Sequence, residues 1–150
     1  MARRLIRFFR RPFSDQRLLL RAALSVAAAR LATRILPLPA ARSAVRCIQP
    51  PGRVSSRASV ERLIWAVDAA SRAIPGMKNC LVQAVAAEAM LARAGHACEL
   101  RIGGAKNESQ EFIAHAWLES GGRVLIGEFE RERYAPMAAP RRADAPSAQR

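Results

Sequence analysis

Two residues of this chain, Cys80 and His115, have the type and the setting that covalent chemistry at a carbonyl requires. Cys80 opens a run from 80 to 94 that is apolar apart from three residues, and such a run predicts a buried helix. His115 lies within 112–119, where the residues alternate as in a strand. A thiol and an imidazole are the nucleophile and the base of a thiol hydrolase, so this pair is the candidate catalytic site.

The start of a helix suits a thiolate, and Asn79 is well placed to cap the helix that Cys80 opens. Unpaired N–H groups of the first turn and the positive end of the helix dipole stabilise negative charge there. The same N–H groups, with Gln83 and Asn79 beside them, are candidates to bind the oxyanion that forms during attack. A cysteine in this position more often serves as a small buried hydrophobe, and that alternative stays open.

The register of a predicted hairpin nominates a third catalytic residue. If Gly121-Gly122 is a two-residue turn between strands 111–119 and 123–128, the pairing of the two strands follows by counting back. The predicted pairs are Ser120 with Arg123, Leu118 with Leu125, Trp117 with Ile126 and His115 with Glu128. Directly opposed side chains on one face lie within hydrogen-bonding range. We therefore expect Glu128 to orient His115 and to stabilise its imidazolium.

Other polar and aromatic residues near this pair receive smaller roles. Trp117 shares the face of His115 and is expected either to line the site or to pack below it. His96 follows Gly95 in a turn and is interpreted as a surface residue. The cysteines are odd in number and form no CxxC pair, which with two histidines argues against a zinc site. We expect no cofactor and a reducing, cytoplasmic compartment.

Charge and composition divide the chain into unequal parts. Residues 1–57 hold thirteen arginines and a single acidic residue, whereas acidic and basic residues nearly balance in 58–150. The sequence predicts an α+β fold, with a central helix packed on a small antiparallel sheet. It also predicts a basic helical extension (1–46), a linker (47–57), a catalytic domain (58–134) and a disordered tail (135–150).

Within the extension, a helix is predicted from Asp15 to Leu36, capped by Asp15 or Ser14 and ended by Pro37 and Pro39. Its four arginines argue against a membrane span and leave no single amphipathic face. Packing on the catalytic domain is the simplest interpretation. Docking of an acidic partner and peripheral contact with a membrane surface stay open. No nucleic-acid partner is expected, because the known DNA- and RNA-reading motifs are missing.

Four segments together resemble a known family. These are Cys80–Gly95, Leu100–Gly104, Ala114–Glu119 and Gly122–Glu128. In order and spacing they are similar to the transglutaminase-like leader peptidases of lasso-peptide biosynthesis, the B2 proteins. The resemblance covers about 57–130. The Arg- and Leu-rich N-terminal helix also resembles the short leader of stand-alone members.

This resemblance implies a papain/transglutaminase-like fold and cysteine proteolysis of a ribosomally made precursor peptide. Cys80 carries over as nucleophile and His115 as general base. The family commonly places an Asp near the position of Gly127, where this chain offers only the neighbouring Glu128. The implied partners are the precursor peptide, a separate leader-recognition protein (B1) and an asparagine-synthetase-like lasso cyclase.

Two other functions fit the same sequence. The domain could be a non-catalytic adaptor that presents a peptide to a partner, or an acyltransferase that transfers to an amine as true transglutaminases do.

Overall fold

A computed structural model describes residues 11–48, 59–73, 79–106, 109–127 and 135–137. Within these ranges the chain forms four helices and four strands. The helices are α1 (Phe13–Ile35), α2 (Leu38–Ile48), α3 (Val60–Ala73) and α4 (Cys80–Arg93). The strands are β1 (Glu99–Lys106), β2 (Phe112–Ser120), β3 (Arg123–Ile126) and β4 (Ala135–Met137). The predicted α+β class is confirmed.

The long helix α1 begins two residues earlier than predicted. Pro12 is the N-cap, no side chain caps the helix, and the backbone N–H of Asp15 bonds to the Pro12 carbonyl at 2.9 Å. The predicted cap by Asp15 or Ser14 is therefore wrong, because both residues already lie inside the helix. The Asp15 carboxylate instead pairs with Arg62 of α3. In the part of the chain described, no helix is long and apolar enough to cross a membrane.

Helices α1 and α2 share one core with α3, α4 and the sheet. Buried residues of α1, such as Ala22 and Val26, belong to the same cluster as Leu63 of α3 and Leu91 of α4. The predicted packing of the N-terminal helices on the remainder is confirmed. α1 ends at Ile35, shortly before Pro37, as predicted. Pro39 does not act as a stop, since it lies in the first turn of α2, where a missing N–H costs no hydrogen bond.

Helix α4 lies at the centre, as its nearly unbroken apolar sequence predicts. Nine of its residues, from Val82 to Leu91, are buried, and α4 packs against all three other helices and against β1, β2 and β3. Gly95 ends the helix with φ +83°, a backbone conformation that glycine adopts without strain. This helix is the element that positions Cys80.

The sheet has the strand order β3-β2-β1-β4, with antiparallel pairs. β1 continues through Gly103-Gly104 to Lys106, although two consecutive glycines are more typical of a loop. All eight residues of β1 pair with residues of β2, and this pairing holds the two glycines in an extended conformation. β4 pairs with β1 at Ile102–Gly104, which corrects the predicted disordered tail over 135–137. The rest of the predicted tail lies outside the described residues.

The β2–β3 hairpin confirms the predicted turn but not the predicted register. Ser120 pairs with Arg123 around Gly121-Gly122, both with positive φ. Glu119 then pairs with Val124 but Leu118 pairs with Ile126, so Leu125 is an extra residue on β3. This β-bulge shifts the strands by one residue, and the predicted pairs Leu118–Leu125 and Trp117–Ile126 are wrong.

Candidate active site

Cys80 is the first residue of α4, and its thiol is free and half-buried. Asn79 precedes it as an extended N-cap with φ −127° and ψ 130°. The Asn79 Oδ1 accepts the N–H groups of Leu81 at 3.0 Å and Val82 at 3.3 Å, so the predicted cap is confirmed. The thiol thus lies at a capped helix start, beside the positive end of the helix dipole.

This cap narrows the choice of oxyanion donors. The Leu81 and Val82 N–H groups are occupied by Asn79 Oδ1, and the Gln83 N–H bonds to the Asn79 carbonyl at 3.0 Å. The expectation that several first-turn N–H groups bind an oxyanion is therefore too broad. The Cys80 N–H is the first-turn donor that these contacts do not use. The half-buried Gln83 side chain lies one turn further along α4.

The imidazole of His115 is held by a backbone carbonyl. Its Nε2 lies 2.9 Å from the carbonyl oxygen of Gly127, just beyond the end of β3. A carbonyl oxygen can only accept, so Nε2 carries the proton. In the neutral ring the lone pair then belongs to Nδ1, which makes Nδ1 the basic nitrogen of this histidine.

Only glycine fits at position 127. Its φ is +84°, and a Cβ there would lie 2.8 Å from the Ala116 carbonyl oxygen and 2.8 Å from the Trp117 Cβ. Both are parts of β2 that cannot rotate away. The backbone of residue 127 therefore lies close against β2 at Ala116 and Trp117. This close approach lets its carbonyl reach the His115 side chain.

The ring of Trp117 lies beside the imidazole of His115. The two rings are stacked with centroids 6.2 Å apart and an interplanar angle of 19°. Trp117 is buried, and its Nε1–H donates to Glu119 Oε1 at 2.8 Å. Arg101 of β1 lies 3.8 Å from the other oxygen of Glu119. Glu119 and Arg101 were not predicted, although the alternation of β2 puts Glu119 on the face of His115.

The two faces of β2 have different neighbours. Ala116 and Leu118 belong to the core cluster that α4 completes. Because side chains alternate along a strand, His115 and Trp117 project from the other face. The distance from Cys80 Sγ to the imidazole is not fixed by these contacts, and the catalytic pairing of Cys80 with His115 stays a prediction. Glu128 lies outside the described residues, and the shifted register no longer supports its nomination.

A buried ionic cluster lies further along α4 and was not predicted. The Glu88 carboxylate, 1% exposed, accepts hydrogen bonds from Arg42 and Arg46 of α2. The bond to Glu88 is the main cause that raises the pKa of Arg42. Cys98 lies nearby, and burial, followed by the Glu88 charge, raises the pKa of its thiol to about 11. Within the described ranges, no three His, Cys, Asp or Glu side chains gather as metal ligands do.

Comparison with known families agrees with this architecture. The chain matches Transglut_core3, described as the Transglutaminase-like superfamily, over residues 20–139. It therefore belongs to the transglutaminase-like superfamily, whose members include cysteine peptidases and acyltransferases. The match begins within α1 and extends beyond β4. The searches of curated proteins and of solved structures each found no significant match.

Proposed function

We propose that this protein is a cysteine peptidase that removes the leader from a ribosomally made lasso precursor peptide. The observation that carries the proposal is a free thiol, Cys80, in the first turn of a capped helix in a transglutaminase-like chain. Membership of the transglutaminase-like superfamily supports the part of the proposal that assigns thiol chemistry at an acyl group. The narrower substrate, a lasso leader, rests on the sequence resemblance of four segments.

In the proposed reaction the Cys80 sulfur attacks the carbonyl carbon of the leader–core peptide bond. His115 Nδ1 takes the thiol proton, and the carbonyl π electrons move onto the oxygen to give a tetrahedral oxyanion. The Cys80 N–H donates to this oxyanion, with the Gln83 side chain as a second candidate donor. Collapse of the intermediate breaks the C–N bond, and the imidazolium gives its proton to the departing amine.

Water completes the reaction. His115 removes a proton from a water molecule, which attacks the thioester carbonyl and releases the leader carboxylate and the Cys80 thiol. The freed amine of the core is the group that a lasso cyclase requires for macrolactam closure. The proposed partners are therefore the precursor peptide, a leader-recognition protein and an ATP-dependent, asparagine-synthetase-like cyclase.

The Gly127 carbonyl takes the positioning role in this proposal. Its contact with Nε2–H at 2.9 Å supports a ring held with Nδ1 as the base. A carboxylate commonly does this in the family, and the sequence-based candidate for it here is Glu128. The carbonyl supplies orientation without a full negative charge.

The test is mass spectrometry of a leader-containing lasso precursor peptide incubated with this protein and a leader-recognition protein. Wild type should give a leader fragment and a free core, whose summed mass exceeds the precursor by one water. Cys80→Ala should leave the precursor intact. Intact precursor with wild type, while the recognition protein binds the leader, would contradict the proposal. A product joined to an added amine would instead identify an acyltransferase.

A non-catalytic, peptide-presenting adaptor is the second candidate. One observation favours it. α4 packs on the face of β2 that carries Ala116 and Leu118, and His115 projects from the opposite face. In an adaptor, a variant that lacks both Cys80 and His115 should still support formation of the mature product by the partner enzymes. In a peptidase the same variant should support none.

A further inference from the structure

Helix α1 carries apolar residues on two opposite sides. One side is buried in the core, with Leu18, Ala22, Val26 and Ala29 among its residues. The other side exposes large apolar residues that are far from the core. These are Phe13 at 71%, Leu20 at 58%, Leu24 at 55%, Leu31 at 61% and Ile35 at 68%. At about 100° per residue they fall within a stripe about 60° wide. The two opposed apolar sides explain why no single amphipathic face is visible in the sequence.

The spacing of this stripe is that of a helix-pairing seam. Alternate steps of four and three residues lead from Phe13 through 17, 20, 24, 27 and 31 to 34. This is the a/d repeat of a coiled coil, and we call these seven positions the outer seam. Leu20, Leu24, Ala27 and Leu31 form its apolar centre, and Arg17 and Arg34 lie near its ends. A strict a/d stripe is narrower than the apolar face of a helix that lies in a bilayer surface.

The charges beside the outer seam are of one sign. Arg21 and Arg30 occupy the positions next to the seam where coiled coils place charges that pair with a partner. The single acidic residue of α1, Asp15, is already paired with Arg62. A second copy of the chain would therefore bring arginines against arginines, whereas an acidic helix would pair with them.

We propose that the outer seam docks an acidic amphipathic helix of a partner protein. Apolar residues of that helix, repeated every three and four residues, pack between Leu20, Leu24 and Leu31. Glu or Asp residues at its edges pair with Arg21 and Arg30. The proposal concerns a surface on the opposite side of α1 from the core, and it holds whether or not Cys80 is a nucleophile.

The test uses the full chain and a fluorescent three-heptad peptide with Leu at a and d and Glu at e and g. Fluorescence anisotropy should show binding that weakens as salt increases. Leu24→Glu/Leu31→Glu should weaken binding about 100-fold, because each buried leucine contributes about a factor of ten. The matched control is Ile48→Glu, an equally exposed apolar residue on α2, which should bind as wild type does.

A charge exchange makes the test specific. Arg21→Glu/Arg30→Glu should lose the Glu peptide and gain a peptide that carries Lys at e and g. Unchanged thermal unfolding shows that these surface variants fold. The proposal is overturned if wild type and the Leu24/Leu31 variant bind the peptide equally or not at all. It is likewise overturned if the seam mutations abolish only self-association in sedimentation velocity, or only binding to phosphatidylcholine–phosphatidylglycerol vesicles.

Discussion

At the scale of single residues, the contact between His115 and the Gly127 carbonyl decides how the imidazole can act. The carbonyl fixes the tautomer, because it must receive a proton from Nε2. The ring of Trp117, whose centroid lies 6.2 Å away, stacks on the imidazole and limits its plane. A carboxylate would add a full negative charge to the same orientation. The imidazole is therefore positioned by the backbone fold near the end of the hairpin.

Gly127→Ala should separate orientation from binding. The new Cβ would meet the Ala116 oxygen and the Trp117 Cβ at 2.8 Å, so the 127 carbonyl must move away from His115. We expect kcat to fall about 100-fold with little change in KM, the usual size of a loss of orientation. Nitrogen NMR of the histidine should show Nε2–H in wild type and a mixed tautomer in the variant, whatever the activity.

The matched control for this prediction is Gly122→Ala. Gly122 also has positive φ (+78°) but nothing lies within 4 Å of its Cβ position, so backbone strain alone is tested. It should retain wild-type kcat and tautomer. Glu128→Gln should also retain most activity. A loss in Glu128→Gln as large as that in Gly127→Ala would return the positioning role to the Glu128 side chain.

Cys47 and Cys98 should react in an order set by burial and charge. Cys47 is exposed, whereas burial and Glu88 raise the pKa of Cys98 from 9.0 to about 11. At pH 8 iodoacetamide should therefore alkylate Cys47 well before Cys98, as read by peptide mass spectrometry. Equal rates for the two thiols at pH 8 would contradict this.

The same raised pKa predicts a direction for stability. Between about pH 9 and 11 the folded state keeps the Cys98 proton that the unfolded chain loses. The stability that this group contributes to the folded state is therefore fully present below about pH 9. It is lost as the pH rises from about 9 towards 11. Urea unfolding of wild type and of Cys98→Ala across this pH range measures the difference in their free energies of unfolding. An increase in the stability of wild type relative to the variant as the pH rises would contradict the prediction.

At the scale of elements, the Glu88 cluster ties α2 to α4. Glu88 is 2% exposed at its side chain and Arg42 is 23% exposed, so the carboxylate depends on its partners while the arginines can reach water. Arg46 is 35% exposed, yet its Nε is buried without a partner among the described residues. The cluster is therefore asymmetric. Loss of the arginines would leave a buried carboxylate unpaired, whereas loss of the carboxylate would leave arginines that water can still solvate.

This asymmetry predicts an order of stabilities. Glu88→Ala should cost about 3 kcal/mol, and Arg42→Met/Arg46→Met should cost more because it leaves a buried carboxylate unpaired. Arg72→Ala removes an exposed pair with Asp68 one turn away and should cost at most about 0.5 kcal/mol. Denaturant unfolding measures all three, and an Arg42/Arg46 variant more stable than Glu88→Ala would refute the order.

Several elements follow from the sequence, and the exceptions have physical causes. Apolar runs and caps predict α4, the cap by Asn79 and the turn at Gly121-Gly122, because these signals are local. The bulge at Leu125 is not local: it depends on how β3 closes on β2, and register counting assumes unbroken alternation. Gly103-Gly104 has loop composition, yet pairing on both sides makes it strand.

The candidate site was predictable in part for the same reason. Cys80 and Asn79 were found because one helix start contains both. The carbonyl of Gly127 could not be found by looking for side chains, and the Arg42–Glu88 contact joins residues 46 positions apart. The sequence features that could have predicted this cluster are a single acid, Glu88, in an apolar helix and two arginines, Arg42 and Arg46, one turn apart.

At the scale of the whole molecule, the N-terminal helices are part of the fold. α1 packs on α2, α3 and α4, and the match to the transglutaminase-like superfamily begins at residue 20. A chain that starts at Ser59 would expose the apolar side of α4 that α1 and α2 cover.

We therefore expect a chain that starts at Ser59 to lose cooperative thermal unfolding and to bind a hydrophobic dye. A chain that starts at Arg11 keeps both helices and should unfold cooperatively. Differential scanning calorimetry distinguishes the two outcomes. A cooperative transition in the shorter chain would show that residues 59–150 form an independent core.

The main-chain contact to His115 also limits what mutational scanning can find. Replacing side chains one at a time cannot delete a carbonyl, so a scan of every Asp and Glu would return no third member of the proposed catalytic group. The informative substitution is the gain of a methyl group at Gly127, a position that such scans commonly pass over as structural. A search for related hydrolases that demands an acidic residue at the position of Gly127 would discard a chain built in this way.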